Sequence, residues 1–227
     1  MVKFSATIEA LRKESEHLYN NTYAIVAHAI GFSRKDIQSD KNFKEILENK
    51  KWFSKNVDLD YLYQTRIKVL FEAIIDFSTK AQVYVNDETK NHKIFTFKMA
   101  AKNLAETTKN LKIIQANIKK YSSSNEFLAL EYNKIRSNLG ELLRSIEEFR
   151  VEDHEKLYLI IKNLQKGKEI LKEIDTLTLS NVEYLISVRK ITTAEGISIL
   201  NDTTFAAKIA EELIGAVEVI FSKDISN

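Results

Sequence analysis

The chain has 227 residues, 44% hydrophobic and 29% charged, with 34 Lys and Arg against 32 Asp and Glu, a formal charge of +2. That apolar content excludes a disordered chain, and the small net charge falls well short of the basic excess that nucleic-acid-binding domains usually carry, so no nucleic acid is expected as a partner. There are no cysteines, which excludes disulfides, CxxC zinc sites, iron–sulfur clusters and thiol nucleophiles, and no prolines where average usage gives about eleven.

With only five glycines, the chain lacks the turn residues that a multi-stranded sheet needs. The expected fold is all-α, an antiparallel bundle of six long helices. The first helix is expected from about Ala6 to Ile30, with Ser5 as N-cap and Gly31 just past its end. Ile8, Leu11, Leu18, Ile25 and Ala29 share one stripe, in which Ser15 and Thr22 hold the intervening positions. A polar segment, Ser33-Arg34-Lys35-Asp36, leads to a short helix near Asp40–Asn49 and then to a loop carrying the only tryptophan, Trp52.

Asp58 caps a second long helix, with Leu59, Leu62, Leu70, Ala73, Phe77, Ala81 and Tyr84 at helical spacing. Asn86-Asp87 opens a third, to about Tyr121, with Phe97, Ala101, Leu104, Thr108, Leu111, Gln115 and Ile118 in register. Polar members of these stripes, such as Thr22, Thr108, Gln115 and Thr204, need partners if buried; the carbonyl one turn back is the nearest. Ser122-Ser123-Ser124 is the clearest break, and Ser123 with Glu126 has capping-box spacing.

In the fourth helix, Leu128, Tyr132, Ile135, Leu139, Leu142, Ile146 and Phe149 form a 4-3-4-3-4-3 seam, expected to be fully buried. A fifth helix follows over about Glu152–Asp175, extended by a piece near Leu179–Arg189. Thr192 and Glu195 form a second capping box, opening a last helix to about Phe221 with Phe205, Ile209, Leu213, Ala216, Val217 and Ile220 inward. The serine break suggests two three-helix units, residues 1–121 and 122–227, packed as one domain.

The start, Met1-Val2-Lys3-Phe4-Ser5, has no charged region followed by an apolar one, so no signal peptide is expected. The longest uncharged stretch, His17 to Ser33, contains Asn20, Asn21, Thr22 and His28. It falls short of the ~20 apolar residues of a spanning helix, so a soluble chain is expected. No G-x-S-x-G, Walker loop, G-x-G-x-x-G or H-E-x-x-H occurs, so neither an enzyme nor a cofactor is expected.

Metal is the remaining chemistry to weigh. Glu14 and His17 have the Glu-x-x-His spacing of helix-bundle di-iron sites, but those sites need a second copy and two more carboxylates. Glu72 and Asp76, one turn apart, suit a cation held from one face. Lys68 and Lys80 beside them make a solvated, ion-paired face the simpler reading. Lys50, Lys51, Trp52, Phe53 and Lys55 combine cations with aromatic rings. They suit either a plug at the bundle end or docking on a membrane surface or partner.

Several segments together resemble a known family. Ala24-Ile25-Val26-Ala27-His28-Ala29-Ile30-Gly31 with Ser33-Arg34-Lys35-Asp36-Ile37 is similar to the start of the cytosolic tail of bacterial Na/Pi cotransporter family proteins. So are Leu59-Asp60-Tyr61-Leu62-Tyr63, Ile67-Lys68 and Ala73-Ile74-Ile75-Asp76-Phe77. Glu131-Tyr132-Asn133-Lys134-Ile135-Arg136 and Leu200-Asn201-Asp202-Thr203-Thr204-Phe205-Ala206 resemble its later part. The resemblance implies a PhoU-like domain of two three-helix units, a regulatory or structural piece of a sodium-dependent phosphate transporter at the cytoplasmic side of the inner membrane. Its implied partner is a transmembrane core in the same polypeptide, with self-association through helix faces as a further contact. The alternative is a free-standing PhoU-like phosphate-signalling regulator or metal-binding helical protein. PhoU proteins carry Glu/Asp-x-x-x-Asp metal motifs. Laid on Lys102–Glu106 and Ala207–Glu211, the motif keeps only its second acid, leaving Glu106 and Glu211 as metal candidates.

Overall fold

A computed structural model describes residues 4–49, 58–121, 125–151 and 178–221. Among them the fold is all-α, and helices pack on helices. The elements are α1 (Phe4–Ala29), α2 (Arg34–Ile37), α3 (Phe43–Asn49), α4 (Leu59–Leu62), a π-helical turn (Tyr63–Ile67), α5 (Lys68–Val83), α6 (Glu88–Tyr121), α7 (Glu126–Val151), α8 (178–187) and α9 (Thr193–Phe221). The expected fifth helix, with Leu157, Ile161, Leu164, Leu171 and Ile174, lies outside the described residues, as do the Ser123 cap and Trp52.

By compactness the chain divides into one unit of Met1–Ile25, Asp58–Lys109 and Glu212–Asn227 and a second of Val26–Val57 and Asn110–Glu211. These limits differ from the expected 1–121 and 122–227, because a serine break marks where a helix ends, whereas compactness follows which helix segments pack together. The boundaries fall inside α1, α6 and α9.

In the first unit, α1 buries Ile8, Leu11, Ser15, Leu18, Thr22 and Ile25, the expected stripe with its polar members. Thr22 Oγ1 donates to the Leu18 carbonyl at 3.0 Å, so its hydroxyl is satisfied one turn back. Tyr19 meets Phe221 edge-on at 5.2 Å, and Arg12 donates to the Ile220 carbonyl. Asp58 caps α4 by accepting from the Tyr61 amide at 3.0 Å.

Beyond that cap the expected stripe turns over. Leu59 is buried, but next come Ile67, Ile74 and Ser78, whereas Phe77 is 41% and Tyr84 87% exposed and Ala73 is also outside. The π-helical turn at Tyr63–Ile67 inserts one residue, so Ile67 takes the place that uninterrupted α-geometry gives to Arg66. Every later residue is rotated by about 100°. α5 and α6 run antiparallel: Lys98 Nζ donates to Gln82 Oε1 at 2.7 Å, and Lys109 lies over the Tyr63 ring at 5.8 Å.

In the second unit α1 ends as the sequence indicates. Gly31 has φ 87°, the Phe32 amide donates to the Ala27 carbonyl at 2.9 Å and the Gly31 amide to His28 at 3.1 Å. Only glycine takes that left-handed angle without a steric penalty. Ser33 and Asp36 cap each other, which makes the polar segment the first turn of α2. On α9, Thr192 and Glu195 form the expected capping box, with the Thr192 amide donating to Glu195 at 2.7 Å.

The α7 seam is buried at Leu128, Tyr132, Ile135, Leu139 and Ile146, but Leu143 is fully buried and Leu142 only half-buried. The seam therefore follows the 3.6-residue period of a straight helix, not the strict 3.5 of a coiled coil; Phe149 is outside the described side chains.

Gly140 on α7 faces Phe32 and Phe43, whose rings stack tilted at 4.7 Å. A Cβ there would lie 2.9 Å from Phe43 Cε1 and 3.0 Å from Phe32 Cε2. One turn to either side, Arg136 Nε donates to the Ile30 carbonyl at 2.8 Å, and Arg144 donates to the carbonyls of Ile37 and Lys41, each at 2.9 Å. The Arg144 guanidinium also lies over the Phe43 ring at 4.1 Å. Gly140→Ala is expected to cost about 1–3 kcal/mol in urea unfolding by forcing these rings apart.

Candidate functional site

The expected metal candidates are scattered. Glu14 and His17 are exposed on α1. Glu72 and Asp76, exposed on α5, pair with Lys68 at 3.9 Å and Lys80 at 2.6 Å. Glu106 pairs with Lys109 at 2.9 Å, and Glu211 is exposed on α9. Among the described residues no three His, Asp or Glu side chains group as a metal site. Lys50, Lys51, Trp52, Phe53 and Lys55 lie outside the described residues.

Two other features stand out. The first is the outer side of α5, where Arg66, Val69, Ala73, Asp76, Phe77, Lys80 and Tyr84 are all exposed and share one side of the helix. Val69 is 57% exposed and Val83 73%. The sequence placed Ala73, Phe77 and Tyr84 of this stripe inward; their exposure follows from the inserted π residue.

The second is a buried polar junction in the second unit. Asp202 of α9 is 1% exposed and Tyr132 of α7 is fully buried. Asp202 Oδ2 accepts from the Tyr132 hydroxyl and from Asn117 Nδ2 of α6, each at 2.8 Å. Tyr121 stacks on Tyr132 with ring centroids 5.4 Å apart. No donor among the described residues reaches Asp202 Oδ1. Burial pushes the Asp202 carboxyl above the usual carboxylate range, and the two hydrogen bonds offset this only in part. Burial, and then the Asp202 charge, push the Tyr132 phenol far up, so it stays protonated and donates.

Asp202 was legible only as part of a family resemblance, although one signal pointed to it. Ile199, Asp202, Ala206, Ile209 and Leu213 keep the 3-4-3-4 spacing of a buried stripe, which puts an acid in a core register. Nearby, Arg136 is buried too, and desolvation lowers its pKa to about 10. Thr108 and Thr204 bond back to Leu104 at 3.3 Å and Leu200 at 3.1 Å, as expected. The amide nitrogen of Gln115, 6% exposed, has no partner among the described residues.

Among the described residues, no helix is long and apolar enough to cross a membrane. No family model, curated protein or solved structure matches the chain.

Proposed function

We propose that this chain is a cytosolic regulatory or structural domain acting in phosphate transport, working through helix-face contacts with a transmembrane core in the same polypeptide. On this reading it lies at the cytoplasmic side of the bacterial inner membrane and catalyses nothing itself. One observation supports it most. Three of the stretches that resemble the Na/Pi cotransporter tail are joined by buried hydrogen bonds in one unit. Ala24–Gly31 supplies the Ile30 carbonyl to Arg136, and Glu131–Arg136 supplies both Arg136 and Tyr132. Leu200–Ala206 supplies Asp202 to Tyr132. The exposed side of α5, with Val69, Ala73, Phe77 and Tyr84 set among Arg66, Asp76 and Lys80, supplies a surface for contact.

The gene offers the first test. A reading frame continuing upstream of Met1 through several apolar segments of ~20 residues is expected. A stop codon just before Met1 would favour the free-standing regulator. Phosphate uptake then tests the role: replacing Val69 and Phe77 together by Asp is expected to change uptake or its response to external phosphate. Unchanged uptake with the folded variant would count against a regulatory contact on α5.

A further inference from the structure

The Asp202 junction ties α6, α7 and α9 of the second unit through one carboxyl. Both lone pairs of Oδ2 are engaged, by Asn117 and Tyr132, so a proton on this carboxyl belongs on Oδ1. With the proton in place the group is neutral, and its burial costs only what a polar group costs. Without it, a carboxylate 1% exposed carries charge on an oxygen that no described donor reaches. Its neighbours offer no rescue. Among the described residues the ionisable groups acting on it are phenols, Tyr132 from α7 directly and Tyr121 from α6 through Tyr132. Asn117 of α6 is neutral, and no described lysine, arginine or histidine pairs with the carboxyl.

We propose that Asp202 is a buried proton switch: protonated, it locks the α6–α7–α9 junction of the second unit, and losing the proton loosens that junction. The sense of the switch follows from linkage. A carboxyl that holds its proton more tightly when folded contributes stability present below its unfolded pKa and lost as pH rises through the folded one. This is opposite to a salt-bridged aspartate. The second unit thus packs tightly in acid and slackens towards alkaline pH.

The test follows the Asp202 carboxyl carbon by NMR on the full chain, its resonance assigned by its loss in Asp202→Asn. Its titration midpoint is expected above the ordinary carboxylate range, and a midpoint near 4 would overturn the proposal. Tyr132→Phe removes one donor to Oδ2 and should move the midpoint higher still; a fixed or lowered midpoint would count against the junction. Urea midpoints of wild type and Asp202→Asn, followed from about pH 4 to about pH 9, should diverge, with wild type losing ground as pH rises. Parallel profiles would overturn the switch. Above the carboxyl midpoint, amide exchange protection over residues 199–206 should fall in wild type and hold in Asp202→Asn. Equal protection in both would refute the loosening. Should Asp202→Asn fail to fold, the resonance is assigned instead by its response to Tyr132→Phe, and the wild-type titration decides.

Discussion

Leu143→Ala is expected to cost about 2–5 kcal/mol in denaturant unfolding, and Leu142→Ala less than about 1.5 kcal/mol. The two leucines are chemically identical neighbours on α7, so propensity and the unfolded state contribute almost equally to both. Burial separates them: Leu143 is fully enclosed, whereas Leu142 keeps part of its surface in water. Removing Leu143 loses both the transfer energy of its side chain and the contacts around the space left behind. Leu142 lies on the rim, where solvent fills the gap. Leu139, at 2% exposure in the same seam, should resemble Leu143. Equal costs at 142 and 143, or a larger cost at 142, would restore the strict heptad reading of this helix.

That pair also shows how far the sequence could be read. Apolar spacing identifies each described long helix, and on α6 every residue of the expected stripe is buried, Thr108 and Gln115 included, though Ile94, Ala100, Ala105 and Ile114 beside it are buried as well. A 3.5 and a 3.6 period drift apart by only about 0.4 residue over four turns, which is enough to turn Leu143 fully inward on α7 and leave Leu142 half-buried. On α5 the error is larger because a π-helical turn leaves no mark in apolar spacing. The stripe Leu70, Ala73, Phe77 and Tyr84 is a good helical stripe, but one inserted residue turns Ala73, Phe77 and Tyr84 outward and leaves Leu70 half-buried. The α2 turn was read as a polar segment, although Ser33-x-x-Asp36 has the spacing of the capping box that opens it. The Asp202 junction was less so. Spacing places Asp202 and Tyr132 in core registers, but only three-dimensional packing brings α6, α7 and α9 to one carboxyl.

Arg144→Ala should be among the most damaging surface-proximal changes, at about 2–4 kcal/mol. The turn between α2 and α3 leaves the carbonyls of Ile37 and Lys41 to Arg144, each at 2.9 Å, and Arg144 adds a longer bond at 3.3 Å to the Asp36 carbonyl, which also accepts from the Ser39 hydroxyl at 2.8 Å. Each arginine bond comes from a charged donor, stronger than a neutral one. The guanidinium plane also covers the Phe43 ring, so alanine opens the Phe32–Phe43 pair against Gly140 to water. The ion pair to Glu141 contributes little by comparison: it spans 3.5 Å, and Glu141 is 55% exposed. Glu141→Ala is accordingly expected to stay within about 0.5 kcal/mol of wild type. Arg144→Lys separates charge from geometry. An ammonium keeps the charge but cannot present a planar fork to several carbonyls while lying flat on a ring, so lysine should recover less than half of the loss. Full recovery by lysine would mean that charge alone holds the corner, and a loss below about 1 kcal/mol in Arg144→Ala would mean that water replaces the arginine at all three carbonyls.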